Sequence, residues 1–243
     1  VSGQLQGRRI IVTGAASGMG AAIARLFARE GARLALLDVN ERALGAIAEE
    51  TGQRAFPTDV SDERSVEAAV RGAVDAFGGL DGLVNAAGVL VKGPVVEMSA
   101  ADFDKLLSVN LRGPFLTCRA AIPHLQASGA GVIVNIASLA AVRPQPQLAV
   151  YSATKAGLLA LSDALVGELG PNVRINVISP GLIRTAMTEY IWRGRNDDEI
   201  SDNRQLARPG EPEEIAETAL FLMSRQSSYV SGANVVVSGG HLG

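Results

Sequence analysis

Tyr151 and Lys155 stand four residues apart in a segment, Tyr151 to Gly170, whose apolar spacing is helical, so both side chains project from one face. A free phenol titrates at about 10 and carries protons poorly at neutral pH; a nearby ammonium favours phenolate and brings it into range. The pair predicts acid/base chemistry on a hydroxyl: Tyr151 takes the proton of an alcohol, or returns it to a ketone, while a hydride moves to or from a second molecule. An apolar run ending Ala137-Ser138-Leu139 leaves the Ser138 hydroxyl at the carboxyl edge of a strand, where it can orient the reacting oxygen.

The hydride partner is read from Thr13-Gly14-Ala15-Ala16-Ser17-Gly18-Met19-Gly20, which joins an apolar strand to the helical stretch Ala21 to Glu30. Glycines let such a turn approach a pyrophosphate, and the first N–H groups of the following helix face it with partial positive charge. The spacing is Gly-x-x-x-Gly-x-Gly rather than the commoner Gly-x-Gly-x-x-Gly. Asp38 ends the second strand, where a carboxylate accepts from the adenosine ribose hydroxyls and repels a 2′-phosphate. Ser17 in the turn and Val39 after Asp38 supply no local cation, so NAD is expected over NADP. Asp59 carries two readings: acceptor for the adenine amino group, with Val60 flanking the ring, or starter of the next helix near Ser61.

These residues need a scaffold. Seven short apolar runs (within 8–14, 33–38, 54–60, 80–88, 131–138, 173–181 and 233–240) alternate with helix-length segments, and they are nearly continuous in Val, Ile and Leu. Such runs fit strands covered by helices on both faces. The expected fold is α/β: a single Rossmann-type domain over residues 1–243, with a doubly wound parallel sheet of about seven strands. Val66, Ala69, Val70, Ala73, Val74 and Phe77 form one helical stripe aimed at the sheet. Residues 182–210 mix Tyr, Trp and Met with charges and end at Pro209-Gly210, reading as a lid over the site. Arg184, Arg193, Arg195 and Arg208 in that segment are candidates for clamping an anionic substrate, against the simpler role of keeping a surface soluble. Val89, Leu90, Leu139, Pro144, Gln145, Gln147 and Trp192 suggest a mainly apolar substrate pocket with a few polar anchors.

Composition narrows the classes. The 243 residues carry a net charge of −3 with cations scattered singly, which argues against a nucleic-acid partner. No apolar run spans a bilayer and the first residues lack a signal-peptide pattern, so a cytoplasmic protein with no membrane partner is expected. The single cysteine, Cys118, reads as a small buried apolar residue. His124 and His241 have no partner at metal-ligand spacing, and no metal is expected.

Taken together, the Thr13 to Gly20 turn, Asn85-Ala86-Ala87-Gly88, Asn110, Ser138, the Tyr151/Lys155 pair and Pro180-Gly181 resemble the short-chain dehydrogenase/reductase family along essentially the whole chain. The resemblance implies a tetrad of Asn110, Ser138, Tyr151 and Lys155, with Asn110 holding a water that links Lys155 to a proton relay. It implies that Lys155 binds the nicotinamide ribose, that Asn85 to Gly88 line the cofactor, and that Ile183 and Thr185 contact the carboxamide after Pro180-Gly181. It also implies a homotetramer built partly on the helices after residues 100 and 150. One departure is Val237-Ser238-Gly239-Gly240, where relatives commonly carry Asp-Gly-Gly.

The reading is an NAD(H)-dependent oxidoreductase acting on a small-molecule secondary alcohol or ketone. Two alternatives stay open: an NADP(H)-dependent 3-oxoacyl reductase-like enzyme, and a non-catalytic NAD-binding sensor. A sugar-nucleotide epimerase would need a larger substrate domain, and a carbon–halogen lyase of this fold would be expected to lose the nucleotide turn and replace Lys155.

Overall fold

The computed structural model describes residues 3–195 and 205–240. Strands β1 (Arg9–Thr13), β2 (Arg33–Asp38), β3 (Arg54–Pro57), β4 (Gly82–Asn85), β5 (Gly131–Ile136), β6 (Val173–Pro180) and β7 (Asn234–Val237) coincide with the seven apolar runs. They form one sheet in the order β3-β2-β1-β4-β5-β6-β7, parallel throughout. The winding direction reverses between β1 and β4, and at such a switch point the connections leave the carboxyl ends of neighbouring strands in opposite directions and open a crevice. Gly14 after β1 and Ala86 after β4 flank it.

Burial explains the apolar runs. Ile10, Val12, Leu34, Leu36, Val132 and Val134 pack on one face, against α1 (Gly18–Arg29), α2 (Glu41–Thr51) and α8 (Pro212–Met223). The intervening Ile11, Ala35, Leu37 and Ile133 pack on the other, against α3 (Glu63–Phe77) and α5 (Gly113–Ala127). Because successive strand side chains alternate faces and both faces of the inner strands are covered, most of their positions are apolar. The stripe expected on α3 is seen, with Val66, Ala69, Val70, Ala73 and Phe77 buried and Val74 partly so. The remaining helices are α4 (Ala100–Leu107), α6 (Ala149–Glu168) and the short α7 (Glu189–Trp192), with a π-helical turn over Ser108–Arg112 between α4 and α5.

One polar chain crosses this interior. Thr117 Oγ1 donates to Asn85 Oδ1 (2.7 Å), Asn85 Nδ2 to Asn135 Oδ1 (2.9 Å), and Asn135 Nδ2 to Ser162 Oγ (2.9 Å), joining α5, β4, β5 and α6. Each amide is partnered, so burial costs little and the register of the two central strands is fixed. Cys118 lies beside it, receives Asn85 Nδ2 at 3.5 Å, and burial pushes its thiol up to about 12, which keeps it unreactive as read from the sequence.

Candidate active site

At the crevice, the β1 and β4 loops are tied by Thr13, whose Oγ1 accepts from the backbone N–H of Ala86 and of Ala87, each at 3.1 Å. Packing there is tight enough to demand glycine. A Cβ at Gly14 (φ +67°) would sit 2.7 Å from Ala87 N, and one at Gly20 would sit 2.1 Å from Gly14 O. Ser17 is the N-cap of α1 but makes no side-chain cap bond, and the first turn holds no acid, so the helix presents donors and positive potential to the crevice. These features fit a pyrophosphate.

The crevice is a cleft of about 640 Å³. Of the residues read from the sequence, Gly14, Ser17, Gly18, Met19, Gly20, Asp38, Asp59, Val60, Ala86, Ala87, Gly88 and Thr185 line it. The Asp38 carboxylate is fixed by the backbone N–H of Ala16 (3.1 Å) and of Asn40 (2.9 Å), so its charge stays beside the glycine turn. Asp59 Oδ1 accepts from Ser61 N (2.8 Å) and Ser61 Oγ (2.7 Å). It does not start α3; that cap belongs to Asp62, which accepts from Ser65 N at 2.7 Å.

Other expectations are revised by the packing. The Asn85 side chain is engaged in the interior chain, because the period of β4 puts it on the same face as Leu83, toward α5, and away from the cleft. Pro180 and Gly181 end β6 beside β7: Gly181 N donates to Val237 O at 2.9 Å, and a Cβ at Gly181 would lie 2.9 Å from Ser238 Cα. The departure at Ser238 therefore adjoins a residue expected to border the cofactor. The Ile183 side chain packs in the core, leaving its backbone as the part available for a carboxamide. Among lining residues that sequence reasoning missed, Lys105 and Val109 come from α4 and the π-helical turn after it, and Met187 from the segment after β6. Lys105 is a cation inside the cleft, reached through space and invisible to a search of neighbours along the chain.

The candidate catalytic residues Asn110, Ser138, Tyr151 and Lys155 are not on the lining of this cleft, and Gly88 joins it to Asn110 and Lys155. Tyr151 and Lys155 share a face of α6 as expected, and Ser138, just past β5, caps a short helical turn and hydrogen-bonds with Tyr151. Lys155 Nζ donates to Ile136 O at 2.9 Å. Asn110 lies in the π-helical turn, where its Oδ1 accepts from Val89 N (2.9 Å) and its Nδ2 donates to Val89 O (2.9 Å) and Thr154 Oγ1 (3.3 Å). Its amide is thus committed to holding the loop after β4 against α6. Gly88 lies at the junction, since a Cβ there would be 3.4 Å from Asn110 Oδ1 and 3.5 Å from Lys155 Nζ.

Burial governs both ionisable groups. It pushes Tyr151 above its usual range, with Ser138 pulling the other way and Tyr190 adding to the rise. It brings Lys155 down to about 8. The expectation that Lys155 draws Tyr151 downward is not realised in the protein alone, where desolvation outweighs every partner.

The segment after β6 is stapled at both ends: Gly210 N donates to Leu182 O (2.9 Å) and Arg184 N to Gly210 O (2.8 Å). The expected lid begins and ends at this staple, and its residues 196–204, like His241, lie outside the described residues. Its arginines are engaged with acids rather than forming a clamp: Arg184 with Glu211 (3.1 Å), Arg193 with Glu189 (3.5 Å) and Arg208 with Glu214 (2.7 Å), while Arg195 is exposed. Opposite, Gly93 N donates to Gln147 O at 2.9 Å, joining the two substrate-side loops, and Gln147 takes φ +66°, a left-handed conformation costly for a side chain with Cβ. Lys92 Nζ lies 5.3 Å from the centre of the Tyr190 ring at the same mouth. Among the described residues no cluster of His, Cys, Asp and Glu could hold a metal, and no helix is long and apolar enough to cross a membrane.

A family profile described as enoyl-(acyl carrier protein) reductase matches residues 14–241. The D-threitol dehydrogenase of Mycolicibacterium smegmatis is 40% identical over 244 residues, covering 98% of this chain and 94% of that protein. Among solved structures, the short-chain dehydrogenase/reductase glucose/ribitol dehydrogenase of Brucella melitensis superposes with a TM-score of 0.93 at 38% identity, covering 99% of this chain and 98% of that one. The 3-ketoacyl-(acyl-carrier-protein) reductase of the same organism, complexed with NADH, superposes with a TM-score of 0.92 at 34% identity, covering 97% and 98%.

Proposed function

This chain belongs to the short-chain dehydrogenase/reductase family, and from that premise we propose that it is an NAD(H)-dependent dehydrogenase interconverting a secondary alcohol and its ketone, with Tyr151 moving the proton. An alcohol/carbonyl oxidoreductase using a nicotinamide cofactor is the family's general activity. The observation that carries the finer reading is that Gly88, which lines the same cleft as the α1 N-terminus and Asp38, would bring a Cβ within 3.5 Å of Lys155 Nζ, and Lys155 shares a face of α6 with Tyr151, itself hydrogen-bonded with Ser138.

The nicotinamide, when bound, supplies or accepts the hydride. Tyr151 Oη takes the hydroxyl proton in the oxidative direction and returns it to the ketone oxygen in the reductive one, and Ser138 Oγ orients that oxygen. Lys155 binds the nicotinamide ribose. Asn110 positions the Val89 loop and, by the family pattern, the water beside Lys155. Because its side-chain amide is already bonded to Val89 and Thr154, the main chain of the π-helical turn is the part left to hold that water. Ala86 to Gly88, Thr185 and the backbone of Ile183 border the cofactor, residues 1–243 act as one catalytic domain, and 182–210 serves as the lid. Cys118 as a buried thiol suits a reducing, cytoplasmic setting.

The test is absorbance at 340 nm with NAD or NADP across secondary alcohols, starting from polyols because two similar proteins are polyol dehydrogenases by name. An NAD-dependent rise is expected. Demonstrable NAD binding with no turnover on any alcohol or ketone would favour the sensor reading. Cofactor choice has its own check: Asp38→Ala should narrow the NAD-over-NADP ratio in kcat/KM by about tenfold or more, because it removes the charge that repels a 2′-phosphate. An unchanged ratio would show that Asp38 does not set the cofactor preference. The chain is further proposed to form a homotetramer, using the apolar depression where Leu107 of α4, Leu111 of the π-helical turn, Phe115 of α5 and Leu161 of α6 meet. Sedimentation at the mass of four chains is expected, and a monomer at micromolar concentration would refute it.

A further inference from the structure

We propose that the opposite, amino-terminal edge of the sheet holds a second binding site, for a small soluble molecule bearing at least two phosphate charges, formed by Arg8, Arg174 and Arg225. These residues line a depression of about 840 Å³ floored by the segments that enter β1, β4, β5 and β6. The reacting groups sit at the carboxyl ends of the same strands, so this site lies across the sheet from them. Gly7 and Gly129 line it with no atom within 4 Å of where a Cβ would stand, which leaves the rim open.

Charge is the main argument. The lining holds three arginines and one acid, Asp81, and that acid is already taken. Arg9 grips Asp81 through Nε (2.8 Å), Nη2 (2.7 Å) and its backbone N–H (2.9 Å). Arg8 donates from Nη2 to Asp81 O and Ala130 O, both at 2.9 Å, while its buried Nε has no hydrogen-bond partner. Arg174 donates to the carbonyls of Val230 (2.8 Å), Leu222 (3.0 Å) and Ser224 (3.3 Å). Carbonyl capping accounts for the positions of Arg8 and Arg174 but neutralises nothing.

Arg225, exposed at the head of a 3-10 turn, adds a third guanidinium and has no carboxylate partner among the described residues. The three feel one another: burial and then Arg225 push Arg8 down against the pull of Asp81, and burial and then Arg8 push Arg174 down. Like charges gathered at a partly buried concavity are unfavourable unless an anion joins them, and planar guanidinium forks suit phosphate oxygens. A depression of this size exceeds a single phosphate and suits a compact phosphorylated metabolite.

Isothermal titration of inorganic pyrophosphate at constant ionic strength, into protein saturated with NAD so that the nucleotide cleft is filled, tests the site. One saturable event per chain is expected, weakened about tenfold or more by Arg225→Glu and less by Arg225→Lys, with turnover unchanged in both. Because binding to the folded state alone raises stability by mass action, pyrophosphate should also raise the Tm of the wild type more than that of Arg225→Glu. Citrate should bind more weakly. The proposal is overturned if no saturable heat appears, if Arg225→Glu binds pyrophosphate like the wild type, or if citrate binds more tightly than pyrophosphate.

Discussion

Tyr151→Phe should lower turnover roughly a thousandfold, the scale of a lost general acid/base, while NAD affinity and Tm stay close to wild type. The substitution removes one oxygen and keeps the ring that packs at the start of α6, so the fold loses only a hydrogen bond with Ser138. The pH profile is the sharper readout. On the proposed mechanism alcohol oxidation uses the deprotonated tyrosine, whose range burial raises, so the wild-type oxidation rate should climb with pH through that range and ketone reduction should fall. In Tyr151→Phe the residual rate should lose that limb. A variant that keeps both rate and profile would mean that another group moves the proton.

Lys155→Met should separate activity from stability. Turnover is expected to fall about a hundredfold or more, with weaker NAD binding, on the proposed role of Lys155 in holding the nicotinamide ribose. The cofactor-free protein should nevertheless become more stable. Burial lowers Lys155 to about 8 from 10.5, which corresponds to about 3 kcal/mol of unfavourable desolvation when the group is charged. Losing the bond to Ile136 O returns about 1 kcal/mol of that, leaving a net gain of about 2 kcal/mol at pH 7.

The pH window follows from the same shift. Below about 8 the folded and unfolded states both hold the proton and the full cost is present. Between about 8 and 10.5 the unfolded chain binds more proton, so wild-type stability rises with pH, and above 10.5 the cost is gone. The advantage of the methionine variant should therefore be greatest near neutrality and disappear at high pH in urea titrations. A variant less stable than wild type at pH 7 would show that Lys155 contributes to the fold more than its burial costs.

Much of this architecture is legible along the chain. The inner strands appear as apolar runs because burial on both faces removes the alternation that solvent would impose, while the edge strands β3 and β7 keep exposed positions. Tyr151 and Lys155 are legible because one helical turn fixes their common face, and the glycine turn because only backbone without Cβ fits there. Asn110 is not: its segment reads as ordinary helix, the π-helical turn that aims it depends on contacts with Val89 and Thr154, and only the family resemblance pointed to it. Asn85 shows a subtler limit. The motif places it in the nucleotide loop, yet the two-residue period of β4 turns its side chain to Thr117 and Asn135.

The sequence by itself determined the strands and the kind of nucleotide turn, because each depends on residue type and spacing within a single element or one strand-turn-helix unit. Tertiary structure decided which charges meet. Lys105 lines the cleft from α4, Glu211 and Glu214 hold Arg184 and Arg208, two of the candidate clamping arginines, and Arg8, Arg174 and Arg225 converge from three distant parts of the chain. Such encounters depend on which strands become neighbours in the order β3-β2-β1-β4-β5-β6-β7. Electrostatic energy falls with distance in space and with burial, neither of which is set by separation along the sequence.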